Sequence, residues 1–145
     1  MMIIEKNNVT VDIISDFIFR VDKDFTTPIS SKVNILEYAQ KIIDLANVYT
    51  LENDVNSYPI GMGVCYCNDF ENQKAYLSFL AIEEKYRGFG FSNQLLDAII
   101  NDVKKTSMRC IELHTESPIA EKLYISKGFK VIEDINDRKK MSLLI

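Results

Sequence analysis

Residues 75–103, AYLSFLAIEEKYRGFGFSNQLLDAIINDV, hold an apolar run, a glycine loop and an amphipathic stretch in direct succession. Segment 75–82 is almost continuously apolar and carries no charge, which predicts a strand buried on both faces at the centre of a sheet. After a charged turn, Leu95, Leu96, Ile99, Ile100 and Val103 recur at helical spacing, so a helix ending near Lys105 is expected. Between the two lie Arg87, Gly88, Phe89, Gly90, Phe91 and Ser92, the hexapeptide RGFGFS. Its glycines let the backbone pass close to a ligand and turn N–H groups inward, while the helix N-terminus beyond adds partial positive charge. Phosphate binds such places, Arg87 adds a cation, and a diphosphate is the natural partner.

Two other phosphate loops fit poorly. A P-loop needs Lys and then Ser or Thr after its second glycine, where this chain has Phe91 and Ser92. A dinucleotide fingerprint needs a third glycine where Asn93 stands, and several further strand–helix units, yet only one helix is expected after His114.

Working outward, residues 109–114 predict a strand, Ser117 and Pro118 a helix start, and Gly128 its stop. Segments 129–133 and 140–144 close the chain as two strands around a turn at 134–138. Upstream, 2–5 predicts a first strand, and Ile13, Ile14, Phe17, Ile18 and Val21 a first helix. A proline-broken loop at 22–32 precedes a second helix with Asn34 as its N-cap and Ile35, Leu36, Ala39, Ile42, Ile43 and Ala46 on its apolar face. Segments 48–51 and 60–67 then form a hairpin around a turn at 52–57. The order is mixed α/β, in one domain spanning 1–145.

A chain of 145 residues with 47% hydrophobic and 26% charged residues suits one globular core. No uncharged run approaches the eighteen residues of a membrane span, and the start lacks the apolar stretch of a secretion signal, so a cytoplasmic location without membrane association is expected. Cys65, Cys67 and Cys110 are expected as packed thiols, and a single histidine gives too few ligands for a conventional zinc site, so no metal is expected. The net charge is -4 and basic residues cluster no further than Arg138, Lys139 and Lys140, which argues against nucleic acid as a partner.

The loop resembles the acetyl-CoA site of the GNAT family of N-acetyltransferases: Arg or Gln, two residues, Gly, one residue, then Gly or Ala. Ser92 departs at the last place. Residues 120–129, AEKLYISKGF, are similar to the family's fourth-helix signature of Ala, three residues, Tyr, three residues, Gly-Phe. Together the motifs carry the resemblance over roughly residues 45–144, and the first two helices match only in kind. The resemblance implies a mixed, mainly antiparallel central sheet with a V-shaped splay between two central parallel strands, flanked by about four helices. It implies that backbone groups of Leu80, Ala81 and Ile82 pair with the pantetheine arm of acetyl-CoA, that residues 87–92 hold the pyrophosphate, and that Ser117 binds water or the cofactor's amide. Ser117 has a plainer role as an N-cap.

Acetyl transfer by direct attack needs a neutral amine and a proton for the departing thiolate. The resemblance points to Tyr124 as that acid, since a phenol stays protonated at neutral pH. Freeing an alkylamine of its proton at pH 7 costs about 4.6 kcal/mol, so a base is useful. Many GNAT members carry a glutamate on the central strand, but the matching position here is Tyr76. Glu112 and His114, alternating on one strand face, are the candidates for the base. The expected function is acetyl transfer to a primary amine of a small molecule or protein; the alternatives are a non-catalytic acyl-CoA-binding or regulatory module and a nucleotide-binding redox protein. A homodimer is left open.

Overall fold

The computed structural model describes residues 2–53 and 58–145. Its chain order is β1 (Met2–Lys6), α1 (Val11–Val21), α2 (Ile35–Leu45), β2 (Asn47–Asn53), β3 (Gly61–Asp69), β4 (Lys74–Ile82), α3 (Phe91–Val103), β5 (Cys110–Thr115), α4 (Pro118–Ser126), β6 (Lys130–Ile135) and β7 (Arg138–Leu144). Helix starts follow from local chemistry. Thr10 Oγ1 accepts the Ile13 N–H at 3.2 Å and Asn34 Oδ1 accepts that of Glu37 at 3.0 Å, each satisfying a donor that the first turn leaves unpaired. The 22–32 connector is not plain loop, because it contains short 3₁₀ turns at Asp22–Asp24 and Ile29–Ser31.

The strands form one seven-stranded sheet in the order β1-β2-β3-β4-β5-β7-β6. Every neighbouring pair is antiparallel except β4–β5. The sequence therefore indicates the central strand and the hairpin of β2 with β3 correctly, although most of that hairpin's expected turn, 54–57, lies outside the described residues. One face of the sheet packs Leu51, Leu77, Ile111 and Leu113 against Leu95, Leu96 and Ile99 of α3 and Tyr124 of α4. The other packs Val48, Met62, Val64 and Phe79 against α1 and α2. Only Ile35, Ala39 and Ile42 of α2 are buried, so its apolar face is narrower than the expected stripe, and Leu36 and Ile43 are exposed.

A bulge lets β4 serve both cores. Val64 pairs with Phe79 and Cys65 with Leu77, leaving Ser78 as the extra residue. The side-chain alternation switches there: Leu77 joins the core under α3, and Phe79 the core under α1 and α2. The expectation that β4 is buried on both faces is corrected, since Tyr76, Ser78, Leu80 and Ala81 are only half-buried. All three cysteines are free thiols, and among the described residues no helix is long and apolar enough to cross a membrane.

Gly63 of β3 lies directly under α3: a Cβ there would stand 2.5 Å from Ile99 Cδ1 and 3.2 Å from Leu80 Cδ1. Ile99 is fully buried and has little room to yield. Gly63→Val is expected to cost about 1–3 kcal/mol in equilibrium urea unfolding. An unchanged midpoint would contradict this packing.

Candidate active site

The parallel pair at the sheet centre is short. β4 and β5 pair from Lys74 with Cys110 as far as Leu77 with Leu113, and there the ladder stops. β4 runs on to Ile82 with β3 alone beside it, and β5 runs on to Thr115 beside β7. The opening is the V-shaped splay, and it begins at the Ser78 bulge. Ser78 Oγ is held there by a hydrogen bond with the Tyr38 hydroxyl of α2. The gap widens into a cleft of about 620 Å³ whose walls include Leu80, Ala81, Ile82, His114, Ser117 and Tyr124.

The glycine loop closes one end of the cleft. Gly88 and Gly90 have φ of +85° and +80°, a region that L side chains rarely adopt, and a Cβ on either would meet no atom within 4 Å. The glycines are thus required by backbone conformation, and the space over them is open to a ligand. Gly90 is the N-cap of α3 and supplies no side-chain acceptor. The first intrahelical bond is from Gln94 N–H to Gly90 O at 3.2 Å, so the amides of Phe91, Ser92 and Asn93 precede it and are free for an anion.

Arg87, expected as a cation for a diphosphate, already has two partners within the fold. Its Nε donates to Ile82 O at 2.9 Å and its Nη2 pairs with Asp24 Oδ2 at 2.8 Å. The side chain therefore straps the loop to the end of β4 and to the connector between α1 and α2. Phe89 is 67% exposed and stacks loosely on Phe91 at 5.8 Å, with Phe91 on the cleft wall.

On the opposite side, α4 starts where Ser117 Oγ accepts the Ala120 N–H at 3.2 Å and stops at Gly128, whose φ is +99°. This helix holds Tyr124 with its ring against Phe129 at 5.5 Å and only 6% of its surface exposed. Burial pushes the phenol above its usual range, so it remains a proton donor at neutral pH.

Of the two candidate bases, His114 lies on the cleft and Glu112 does not. The Glu112 carboxylate sits between Lys74 at 3.4 Å and Lys140 at 3.7 Å. His114 Nδ1 lies 2.7 Å from the hydroxyl of Tyr76, on the opposite strand of the splay. Burial, then the charges of Arg138 and Lys140, lower the His114 pKa against the opposing pull of Glu133 and Glu112. Burial likewise raises that of Tyr76. Tyr76, noted from the sequence only as the position where a glutamate is missing, is a cleft residue to which that reading gives no role. Its register opposite Glu112, two residues before His114, holds the signal, but only once the strands are paired.

A family model described as the acetyltransferase (GNAT) family matches residues 18–129, and the chain belongs to that family. The match begins within α1, earlier than the two motifs alone indicate. No curated protein sequence matches the chain. Among solved structures, a chain of the NatC complex bound to Gag peptide and CoA superposes with a TM-score of 0.78 at 21% identity, covering 99% of this chain and 98% of that one. The ribosomal-protein-S18-alanine N-acetyltransferase from Escherichia coli gives 0.77 at 18%, covering 100% and 94%. The PaiA N-acetyltransferase from Thermoplasma acidophilum in complex with coenzyme A gives 0.74 at 16%, covering 99% of each chain. These likenesses establish the fold.

His114 is the sole histidine, so its ring signals in a long-range ¹H–¹⁵N spectrum need no assignment. They are expected to titrate below the reference value of about 6.5, because the fold favours the neutral ring. A midpoint at or above the reference would contradict the environment described.

Proposed function

We propose that this GNAT protein transfers an acetyl group from acetyl-CoA to a primary amine of a small molecule or protein by direct attack. The observation that carries the reading is the splay itself: an unpaired β4 edge leads from an uncapped helix N-terminus at one end to a buried phenol at the other. A pantetheine arm fits the first feature, because its amides can use backbone groups that β5 no longer pairs. A pyrophosphate fits the second, because the free amides of α3 and the helix dipole favour an anion. The N-acetyltransferase and CoA named for the structural neighbours support the same assignment.

The chain's own residues account for the proton transfers. An ammonium acceptor must lose a proton before its nitrogen can attack the thioester carbonyl. When Nδ1–H of His114 donates to the Tyr76 oxygen, Nε2 carries the lone pair and can take that proton, directly or through water. Tyr76 thus acts as a positioning residue that fixes the tautomer. The new C–N bond forms as the C–S bond breaks, the thiolate leaves with the electron pair of that bond, and the nitrogen sheds its second proton to solvent as the amide forms. Tyr124 donates its proton to that sulfur and is reprotonated from solvent. Glu112, off the cleft and bracketed by two lysines, is left with a role in holding β5 to its neighbours.

The test is release of free CoA thiol over a panel of amines, followed by Tyr124→Phe on any substrate found. The variant keeps the ring and loses only the hydroxyl. At saturating acetyl-CoA, kcat is expected to fall at least about tenfold with little change in acetyl-CoA affinity, since the hydroxyl acts mainly in the transition state. An unchanged kcat would remove Tyr124 from the acid role.

A further inference from the structure

Arg87, Lys32 and Arg138 are the lysine and arginine side chains on the cleft wall. Arg87 is neutralised by Asp24, whereas Lys32 and Arg138 make no ion pair among the described residues. Lys32 belongs to the connector between α1 and α2. Arg138 stands beside the chemistry. It follows the two-residue turn of Asn136 and Asp137, whose φ values of 53° and 64° suit the mirror-image turn favoured in tight hairpins, and it pairs with Ile135.

The sheet register fixes where Arg138 projects. In the β5–β7 ladder His114 faces Lys140, so Arg138, two residues earlier on β7, is the diagonal neighbour of His114 on the same face. Its charge acts on both His114 and Tyr76, and it is also a hydrogen-bond donor towards the Tyr76 hydroxyl, which leaves the rest of its five-donor fork for a ligand. Lys140 on that face is paired with Glu112 and Lys139 on the other with Glu121 at 2.6 Å, so each neighbouring cation already has its anion. Glu116 and Arg138 each lie one residue beyond the last β5–β7 pair, Thr115 with Lys139, and both line the cleft without an ion pair between them.

A guanidinium beside the proton-accepting pair discriminates among amines. An alkylammonium with no other charge meets a like charge as it approaches His114, which disfavours it. An amine with a carboxylate a few bonds away cancels that charge and offers two oxygens to the planar fork of the guanidinium. Glu116 then stands free to attract the ammonium group.

We propose that the acceptor is an amine that also carries a carboxylate, and that Arg138 binds this carboxylate while the amine meets His114; the inference rests on the acetyl-transfer reading above. The experiment compares matched pairs as acceptors in the thiol-release assay: glycine with glycinamide, L-alanine with L-alaninamide, and 4-aminobutyrate with its amide. At least one carboxylate member is expected to exceed its amide by about tenfold or more in kcat/KM, the size of a lost charged hydrogen bond. Arg138→Gln should abolish the preference through the acceptor KM, Arg138→Lys should restore part of it, and the KM for acetyl-CoA should stay unchanged. Turnover with no preference, or a preference that survives Arg138→Gln, would overturn the proposal. A rise in acetyl-CoA KM instead would overturn it by assigning Arg138 to the cofactor's phosphates. Should no pair turn over, the His114 ring signals of the acetyl-CoA-loaded protein decide. A shift caused by the carboxylates but not the amides, and lost in Arg138→Gln, supports the site; equal or absent shifts overturn it. Loss of acetyl transfer to every amine in the wider panel would count against the proposed function, which is a separate result.

Discussion

The molecule is organised around a break in hydrogen bonding. β4 and β5 pair as parallel neighbours only to Leu77 and Leu113, and the backbone of β4 from Ser78 to Ile82 then presents one edge without a strand beside it. Buried backbone groups are almost always paired, and one left without a partner costs about 1–3 kcal/mol. A sheet tolerates such an edge at its centre when water or a ligand completes it. The remaining features of the fold keep the break open and control what enters it.

Three features flank the opening between the two strands. The extra residue at Ser78 turns β4 away from β5 while moving Phe79 into the core under α1 and α2, so separation gains packing on one side as it loses hydrogen bonds on the other. Arg87 ties the glycine loop to the Ile82 carbonyl and to Asp24, linking the mouth of the splay to the connector between the first two helices. On the far side, α4 sets Tyr124 into the core with its ring on Phe129, close to the point where β5 diverges. The side of the cleft proposed for the cofactor is thus built mainly from backbone, and the side proposed for the acceptor from side chains, among them Tyr76, His114 and Arg138.

That division explains what the sequence discloses. RGFGFS and AEKLYISKGF are local in the chain, and their glycines, helix start and helix stop are fixed by neighbouring residues, so the loop, α3 and α4 could be placed from sequence. The same holds for the caps at Asn34 and Ser117. The contact of Tyr76 with His114 spans 38 positions and that of Arg87 with Asp24 spans 63, and each depends on register and packing that no local pattern encodes. The bulge was equally hidden, because the apolar run of β4 shows no alternation whose slip would reveal an inserted residue. Exposure of Leu36 and Ile43 shows the complementary limit: periodicity gives the apolar side of α2, but the width of its contact is set by α1 and the sheet.

Hydrogen–deuterium exchange with and without coenzyme A reads out directly whether the splay takes up the cofactor. Slowed exchange is expected in peptides covering residues 78–82 and 88–93, where the β4 edge and the start of α3 gain partners, with loss of the second effect in Gly90→Val. Protection confined to other segments, or none at saturating coenzyme A, would contradict the assignment of the splay as the cofactor site.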